Sequence, residues 1–178
     1  MPERLLHSAR RRAALAALAR QRSLQSVLVV CNGNIFRSPF AAAVLDRALR
    51  REGWDDVQVE SAGFIGPGRP SPADAVAAAA GRGIDLRAHR SQLLTPDLVR
   101  AADVILVMEP GQQRTICERF GRTTRDVLLL GDFDPAPVDS RAIADPWEQS
   151  PQVCDAVYER IEDCIGGFVK GLRAGAMD

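Results

Sequence analysis

The residues of this chain best suited to do chemistry lie in one short stretch, Val27-Leu-Val-Val-Cys31-Asn-Gly-Asn-Ile-Phe-Arg37-Ser38-Pro39. A cysteine ends an apolar run, an arginine follows six residues later, and a helix-like pattern begins at once. A turn of this kind directs successive backbone N–H groups into a concave nest, and the helix N-terminus beyond it adds positive potential. Gly33 is expected to supply a left-handed backbone position, and Asn32 and Asn34 tolerate one as well. The loop Asn32, Gly33, Asn34, Ile35, Phe36 therefore reads as an anion cradle. Cys31 stands at its base, where the helix dipole and Arg37 both favour the thiolate, the nucleophilic form of the residue. Arg37 can fork two N–H donors onto two oxygens of one phosphate. The combination points to a phosphoryl group attacked by sulfur to give a cysteinyl phosphate. Ser38 is placed to donate its hydroxyl to the sulfur and ease its departure in a second step. A lone Cys-x5-Arg would carry little weight, since free cysteine is commonly a small buried hydrophobe. Strand, Gly/Asn turn, Arg-Ser-Pro and helix in the required order supply the rest.

The elements that must hold this loop alternate along the chain. Val27–Val30, Val104–Val107 and Val127–Leu130 are short apolar runs of strand character, and Val57–Glu60 alternates toward a further strand. Between them fall helical patterns over Phe40–Arg51, a segment opened by Ser71-Pro72-Ala73-Asp74 and ended by Gly81 and Gly83, a short helix from Thr95-Pro96-Asp97, and Gly111–Phe120. Ser71 is the expected N-cap of the second of these, with Pro72 at the first helical position. A long amphipathic helix is expected over Pro151–Leu172. Continuous apolar strands separated by helices imply a three-layer α/β/α fold around a four-stranded parallel sheet, with the phosphate-binding loop between the first strand and the first core helix. Ligands in such sheets bind beyond the carboxyl ends of the strands, where Cys31 lies.

The chain has 178 residues, 46% of them hydrophobic and 26% charged, and its formal charge is zero. That describes an ordinary globular protein and nominates no nucleic-acid partner. Four cysteines, at 31, 117, 154 and 164, are too few and too irregularly spaced for a disulfide scaffold or a CxxC zinc site, and a reducing cytoplasm is the natural compartment. No segment approaches the roughly 20 apolar residues of a membrane span. The zero charge is a cancellation. Residues 1–25 carry six arginines and one acid, whereas 126–164 carry ten acids and two arginines. Residues 1–25 read as a separate Ala/Arg-rich helical extension, solvated or loosely docked, ahead of a catalytic unit over 26–178. A helix lying on a membrane surface and an organellar transit peptide are the alternatives for it.

The stretch around Cys31 resembles the low-molecular-weight protein tyrosine phosphatase family, whose strand-end motif is Cys-x-Gly-Asn-x-x-Arg-Ser-Pro. The resemblance runs from about Ser26 to Leu172 and includes Ser61-Ala62-Gly63, Gly83-Ile-Asp-Leu86 with His89-Arg-Ser91, Ala102–Met108 and Asp145-Pro146-Trp147. It implies phosphate-ester hydrolysis without metal and a late Asp-Pro as general acid. Asp145 matches that acid, being followed by proline and an aromatic before the final helix. Asp134-Pro135 is the internal competitor, since an Asp-Pro pair by itself says only "turn". Trp147 is expected to wall the cleft beside a substrate ring, the alternative being a rim aromatic with no ligand role. Trp54 reads as core, and His89 as a residue that holds a loop by a hydrogen bond.

One departure concerns redox chemistry. The family usually has a second cysteine where this chain has Phe36, so Cys31 is expected to lack the neighbour that traps its oxidised form as a disulfide. Thioredoxin-coupled arsenate reductases of the same fold need two further cysteines close together mid-chain, and none lies between Cys31 and Cys117. Protein arginine phosphatases resemble this family but tend to carry threonine where this loop has Ile35, which favours a phosphotyrosine protein as substrate. A catalytically silent phosphate-binding module is the reading from another class. Bacterial members that resemble this sequence often counter a tyrosine kinase of polysaccharide export, which is the partner the resemblance implies.

Overall fold

The computed structural model describes residues 2–21 and 23–176. Met1 and Arg22 of the expected extension, and Met177 and Asp178 of the expected catalytic unit, lie outside the described residues.

Four parallel strands, β1 (Ser26–Cys31), β2 (Gln58–Gly63), β3 (Val104–Val107) and β4 (Val127–Leu129), form one sheet in the order β2-β1-β3-β4. Alternate residues of β1 serve opposite faces, as strand geometry dictates. Val27, Val29 and Cys31 join one buried cluster, and Leu28 and Val30 join another. The first cluster is closed by α2 (Arg37–Arg51), α3 (Ala73–Ala80) and α6 (Pro151–Ala176), the second by α4 (Pro96–Ala101) and α5 (Pro110–Phe120). The expected three layers are present. The chain leaves β1 toward β2 on one side and returns to β3 on the other. The switch point of the sheet therefore lies at the carboxyl ends of β1 and β3, which is where a crevice must open.

Several boundaries differ from expectation for local physical reasons. α2 begins at Arg37 rather than Phe40, with Phe36 at the N-cap and no side chain capping the first turn. Pro39 falls at the third helical position, where its missing N–H loses no intrahelical bond. Ser71 does not cap α3. Pro72 holds the cap position in extended conformation, and the Ser71 hydroxyl is buried without a partner. β4 ends at Leu129, and Leu130–Phe133 turns as a 3₁₀ helix.

The largest difference is at the N-terminus. α1 (Pro2–Leu18) is docked, with Ala14, Ala17 and Leu18 buried against the core. Those residues form one helical face. The surface they meet on α6 carries Gly171 and Gly175 at the spacing of one turn. A Cβ on Gly171 would stand 2.5 Å from Leu15 Cδ2, and one on Gly175 would stand 3.2 Å from Ala19 Cα. Small residues on both helices bring the backbones close, and burying Leu18 contributes roughly 2 kcal/mol. Gly167, one turn earlier, admits the carbonyl of Phe133 from the 3₁₀ turn.

Candidate active site

Cys31 ends β1 only 2% exposed, and two donors reach its sulfur: the backbone N–H of Asn34 at 3.2 Å and the Ser38 hydroxyl at 3.1 Å. Which atom of the Ser38 contact donates follows from the buried Asn34 amide. Its Oδ1 accepts the Gln92 N–H at 2.8 Å, so its Nδ2 donates, to Ser38 Oγ and to Ser61 Oγ, each at 2.9 Å. Ser38 Oγ accepts from Asn34, and of the two acceptors within reach of its own hydrogen the sulfur at 3.1 Å is nearer than the Ala62 carbonyl at 3.5 Å. Both contacts bring a polar group onto the sulfur.

The left-handed position in this loop is Asn34, at φ +50°, and not Gly33 as the spacing suggested. His89 Nε2 donates to the Asn34 carbonyl at 2.7 Å and holds that conformation, the loop-holding role expected of it. Gly33 is needed for closeness instead. Its carbonyl accepts from Arg69 at 2.7 Å, and a Cβ on it would lie 3.0 Å from that same guanidinium. Arg69 and Gln92 were not singled out from sequence, and Ser61 entered only as part of the Ser61-Ala62-Gly63 match. They approach only because β2 and the 64–94 segment pass beside the loop. The far side is held by Tyr158 of α6, whose hydroxyl donates to the Phe36 carbonyl at 3.1 Å while its ring stacks on Phe40 at 3.8 Å. Burial pushes the Tyr158 hydroxyl pKa far up, so it remains a donor.

Arg37 opens α2 and is 1% exposed. One terminal nitrogen donates to Glu109 at 2.6 Å and to the Ile143 carbonyl at 2.9 Å, and the other donates to Asp145 at 2.6 Å. Its Nε is buried with no hydrogen-bond partner. An orphaned guanidinium N–H beside an uncapped helix N-terminus and a nest of loop amides is a fitting receptor for a phosphate oxygen. Glu109, which directly follows β3 and Met108, is a second carboxylate that sequence reasoning missed. The strand switch brings it to Arg37 across 72 residues.

The two Asp-Pro aspartates separate cleanly. Asp145 shares the Arg37 guanidinium and is part exposed, and its other oxygen accepts the Trp147 N–H at 3.3 Å. Asp134 is buried against Arg160 at 3.1 Å and accepts the Ala136 N–H at 3.1 Å, a turn and ion-pair role. Trp147 is 49% exposed and meets Phe36 edge to face, ring centres 6.3 Å apart, so the phosphate loop and the acid segment share an aromatic contact. Ile35 and Phe36 are buried. Cys154 and Cys164 are buried within the core cluster, and burial first, then neighbouring carboxylates, pushes the Cys154 thiol up to about 11.

A thiol at the strand switch point, beside a Gly/Asn loop and a helix N-terminus and faced by a buried arginine, is the arrangement expected of a cysteine-based phosphomonoester hydrolase. The low molecular weight phosphotyrosine protein phosphatase family matches residues 26–176, and the chain belongs to it. A relative from Ralstonia nicotianae, named "Probable low molecular weight protein-tyrosine-phosphatase EpsP", is 38% identical over 153 residues, 85% of this chain and 98% of that protein. The crystal structure of the tyrosine phosphatase Wzb from Escherichia coli K30 with sulphate has a TM-score of 0.75 and 29% identity, covering 84% of this chain and 99% of that one. The YwlE arginine phosphatase of Geobacillus stearothermophilus, at TM-score 0.74 and 29% identity, covers 86% of this chain and 96% of that one. Among the described residues no helix is long and apolar enough to cross a membrane.

Proposed function

We propose that the chain hydrolyses phosphotyrosine in proteins through a cysteinyl-phosphate intermediate. The observation that carries this is the pair of donors on Cys31 sulfur together with the buried, unpartnered Nε of Arg37. In the first step the thiolate forms the S–P bond as the P–O bond to the phenol breaks, and Asp145 gives its proton to the departing oxygen. Arg37 and the backbone N–H groups of Asn32, Gly33, Ile35 and Phe36 hold the phosphoryl oxygens, while that of Asn34 stays on the sulfur. In the second step the Asp145 carboxylate takes a proton from water as that water attacks phosphorus. The thiolate leaves, stabilised by Ser38. Glu109 fixes the guanidinium, and Trp147 with Phe36 lines the approach of the substrate ring. The unit over 26–178 carries this chemistry, in the cytoplasm, with no metal or cofactor. A tyrosine kinase of polysaccharide export is the substrate to test first.

Hydrolysis of para-nitrophenyl phosphate by wild type, Cys31→Ser and Asp145→Ala tests the assignment. Cys31→Ser is expected to be inert, and Asp145→Ala to lose about 10²-fold or more, the usual contribution of a positioned acid. A wild type that binds phosphate without turnover would leave the silent module as the reading. The likeness to an arginine phosphatase favours a second reading within the same mechanism. Phosphotyrosine and phosphoarginine peptides offered in competition discriminate the two, and Ile35→Thr is expected to shift the ratio toward phosphoarginine.

A further inference from the structure

The family match begins at residue 26, so α1 lies outside it. Yet α1 carries a buried titratable side chain that the proposed chemistry does not use. His7 is 6% exposed, and its Nε2 lies 3.1 Å from the Asp134 carbonyl. A carbonyl only accepts, so this nitrogen donates. Asp134 is the first residue of the segment that runs from the 3₁₀ turn to α6 and carries Ile143, Asp145 and Trp147. One further contact ties α1 to the same segment: the Arg4 guanidinium lies 3.7 Å from Asp139. Glu3 is paired with Arg10 within α1, and that pairing holds its carboxyl below the ordinary carboxylate value.

The polar chain continues inward from Asp134. Its carboxylate accepts from Arg160 Nε at 3.1 Å, and the other Arg160 nitrogens donate to the Ala142 and Ser140 carbonyls at 2.8 and 2.6 Å. The next residue, Ile143, donates its N–H to the Met108 carbonyl at 2.9 Å, and its own carbonyl accepts from Arg37. Asp145 follows two residues later on the same guanidinium. Between Asp134 and Ser150 the chain has no regular secondary structure. A segment that long wanders unless it is pinned, because each unfixed residue retains its backbone freedom.

We propose that His7 is a positioning residue for this acid segment, and that α1 docks in order to keep Asp145 in register with Arg37 and Cys31. The inference rests on the reading of Asp145 as general acid. It makes the N-terminal extension part of the catalytic apparatus without any contact to substrate.

The test uses full-length His7→Ala, His7→Gln and Gly171→Leu, with kcat/KM measured on phenyl phosphate and on 2,4-dinitrophenyl phosphate. The first substrate has a poor leaving group that needs the acid, and the second departs almost unaided. His7→Ala is expected to lose about ten-fold on phenyl phosphate, the scale of one lost positioning hydrogen bond. It should stay within about two-fold on the dinitrophenyl ester and leave inhibition by inorganic phosphate unchanged. His7→Gln, which keeps a donor at the same reach, restores the phenyl phosphate rate. Gly171→Leu, which forces α1 away from α6 without touching the acid segment, reproduces the His7→Ala pattern. Equal losses on both substrates, or no loss in either variant, would overturn the inference. Asp145→Ala serves as the reference. If Asp145→Ala fails to steepen the leaving-group dependence, the acid assignment falls and the inference with it. If it steepens that dependence while His7→Ala and Gly171→Leu do not, only the role of α1 falls.

Discussion

Gly63 offers a way to perturb the phosphate loop without substituting any residue that would meet substrate. It ends β2 directly opposite Cys31 in the parallel register. A methyl group on it would stand 2.8 Å from both the Asn32 carbonyl oxygen and the Asn34 nitrogen, about 0.6 Å short of ordinary contact. β2 cannot retreat to make room, because the Gly63 N–H donates to Gln92 at 2.9 Å and its carbonyl accepts from Leu94 at 2.7 Å. The displacement therefore falls on the loop, and on the Asn34 N–H that points at the Cys31 sulfur. Overpacking of this kind costs about 1 to 3 kcal/mol of stability. Misplacing reacting groups by about 1 Å can cost 10²-fold in rate, so a shift of roughly 0.6 Å should lower kcat/KM of Gly63→Ala by about ten- to a hundred-fold. The assay is para-nitrophenyl phosphate hydrolysis with inorganic phosphate as inhibitor, at a temperature where urea titration shows the variant folded. Gly111→Ala is the control, since a Cβ there meets nothing within 4 Å. Wild-type kcat/KM and phosphate affinity in folded Gly63→Ala would refute the idea that this contact sets the loop.

Two adjacent glycines of α6 should behave in opposite ways. Gly166→Ala, with open space around it, is expected to stabilise by about 0.5 to 1 kcal/mol, whereas Gly167→Ala, whose Cβ would lie 2.0 Å from the Phe133 carbonyl oxygen, should destabilise by about 3 kcal/mol or more in urea. Alkaline stability follows from Cys154, raised from 9.0 to about 11 chiefly by burial. Its contribution is fully present below about pH 9 and is lost as pH rises toward 11, up to roughly 3 kcal/mol, because only the unfolded thiol ionises in that window. Urea midpoints of Cys154→Ala should decline less steeply over that range, and an unchanged slope would contradict the assignment. Buried Phe36 in place of a loop cysteine predicts that peroxide drives Cys31 to sulfinic acid and that dithiothreitol fails to restore activity. Full recovery with a mapped Cys31 disulfide would sink that reading.

How much was legible beforehand depended on whether the information was local. The spacing from Cys31 to Pro39, the four strand-like runs and the long final helix lie within short windows. Their periodicity and turn chemistry determine strand, nest and helix almost independently of context, and the structure holds them in the expected layers. Ser71 and Gly33 show the limit even there. A cap or a left-handed residue can be supplied by a neighbour, and tertiary contacts chose Pro72 and Asn34 instead. The docking of α1 was written faintly in the glycine spacing of α6, but a glycine stripe says nothing of what fills it until the partner face of Ala14, Ala17 and Leu18 is laid against it.

By itself the sequence placed Cys31 at the end of an apolar strand and ahead of a Gly/Asn turn and a helix in a parallel α/β fold, and it resembles a family of phosphatases. Only the tertiary structure decided which carboxylates accompany Arg37, that Asp134 is a buried brace while Asp145 faces the site, and that His7 reaches the base of the acid segment. Those contacts join residues 72, 108 and 127 apart. The physical reason is that residue spacing specifies geometry only over a turn or two. The order β2-β1-β3-β4 and the packing of α1 and α6 on one of its faces set which distant side chains converge.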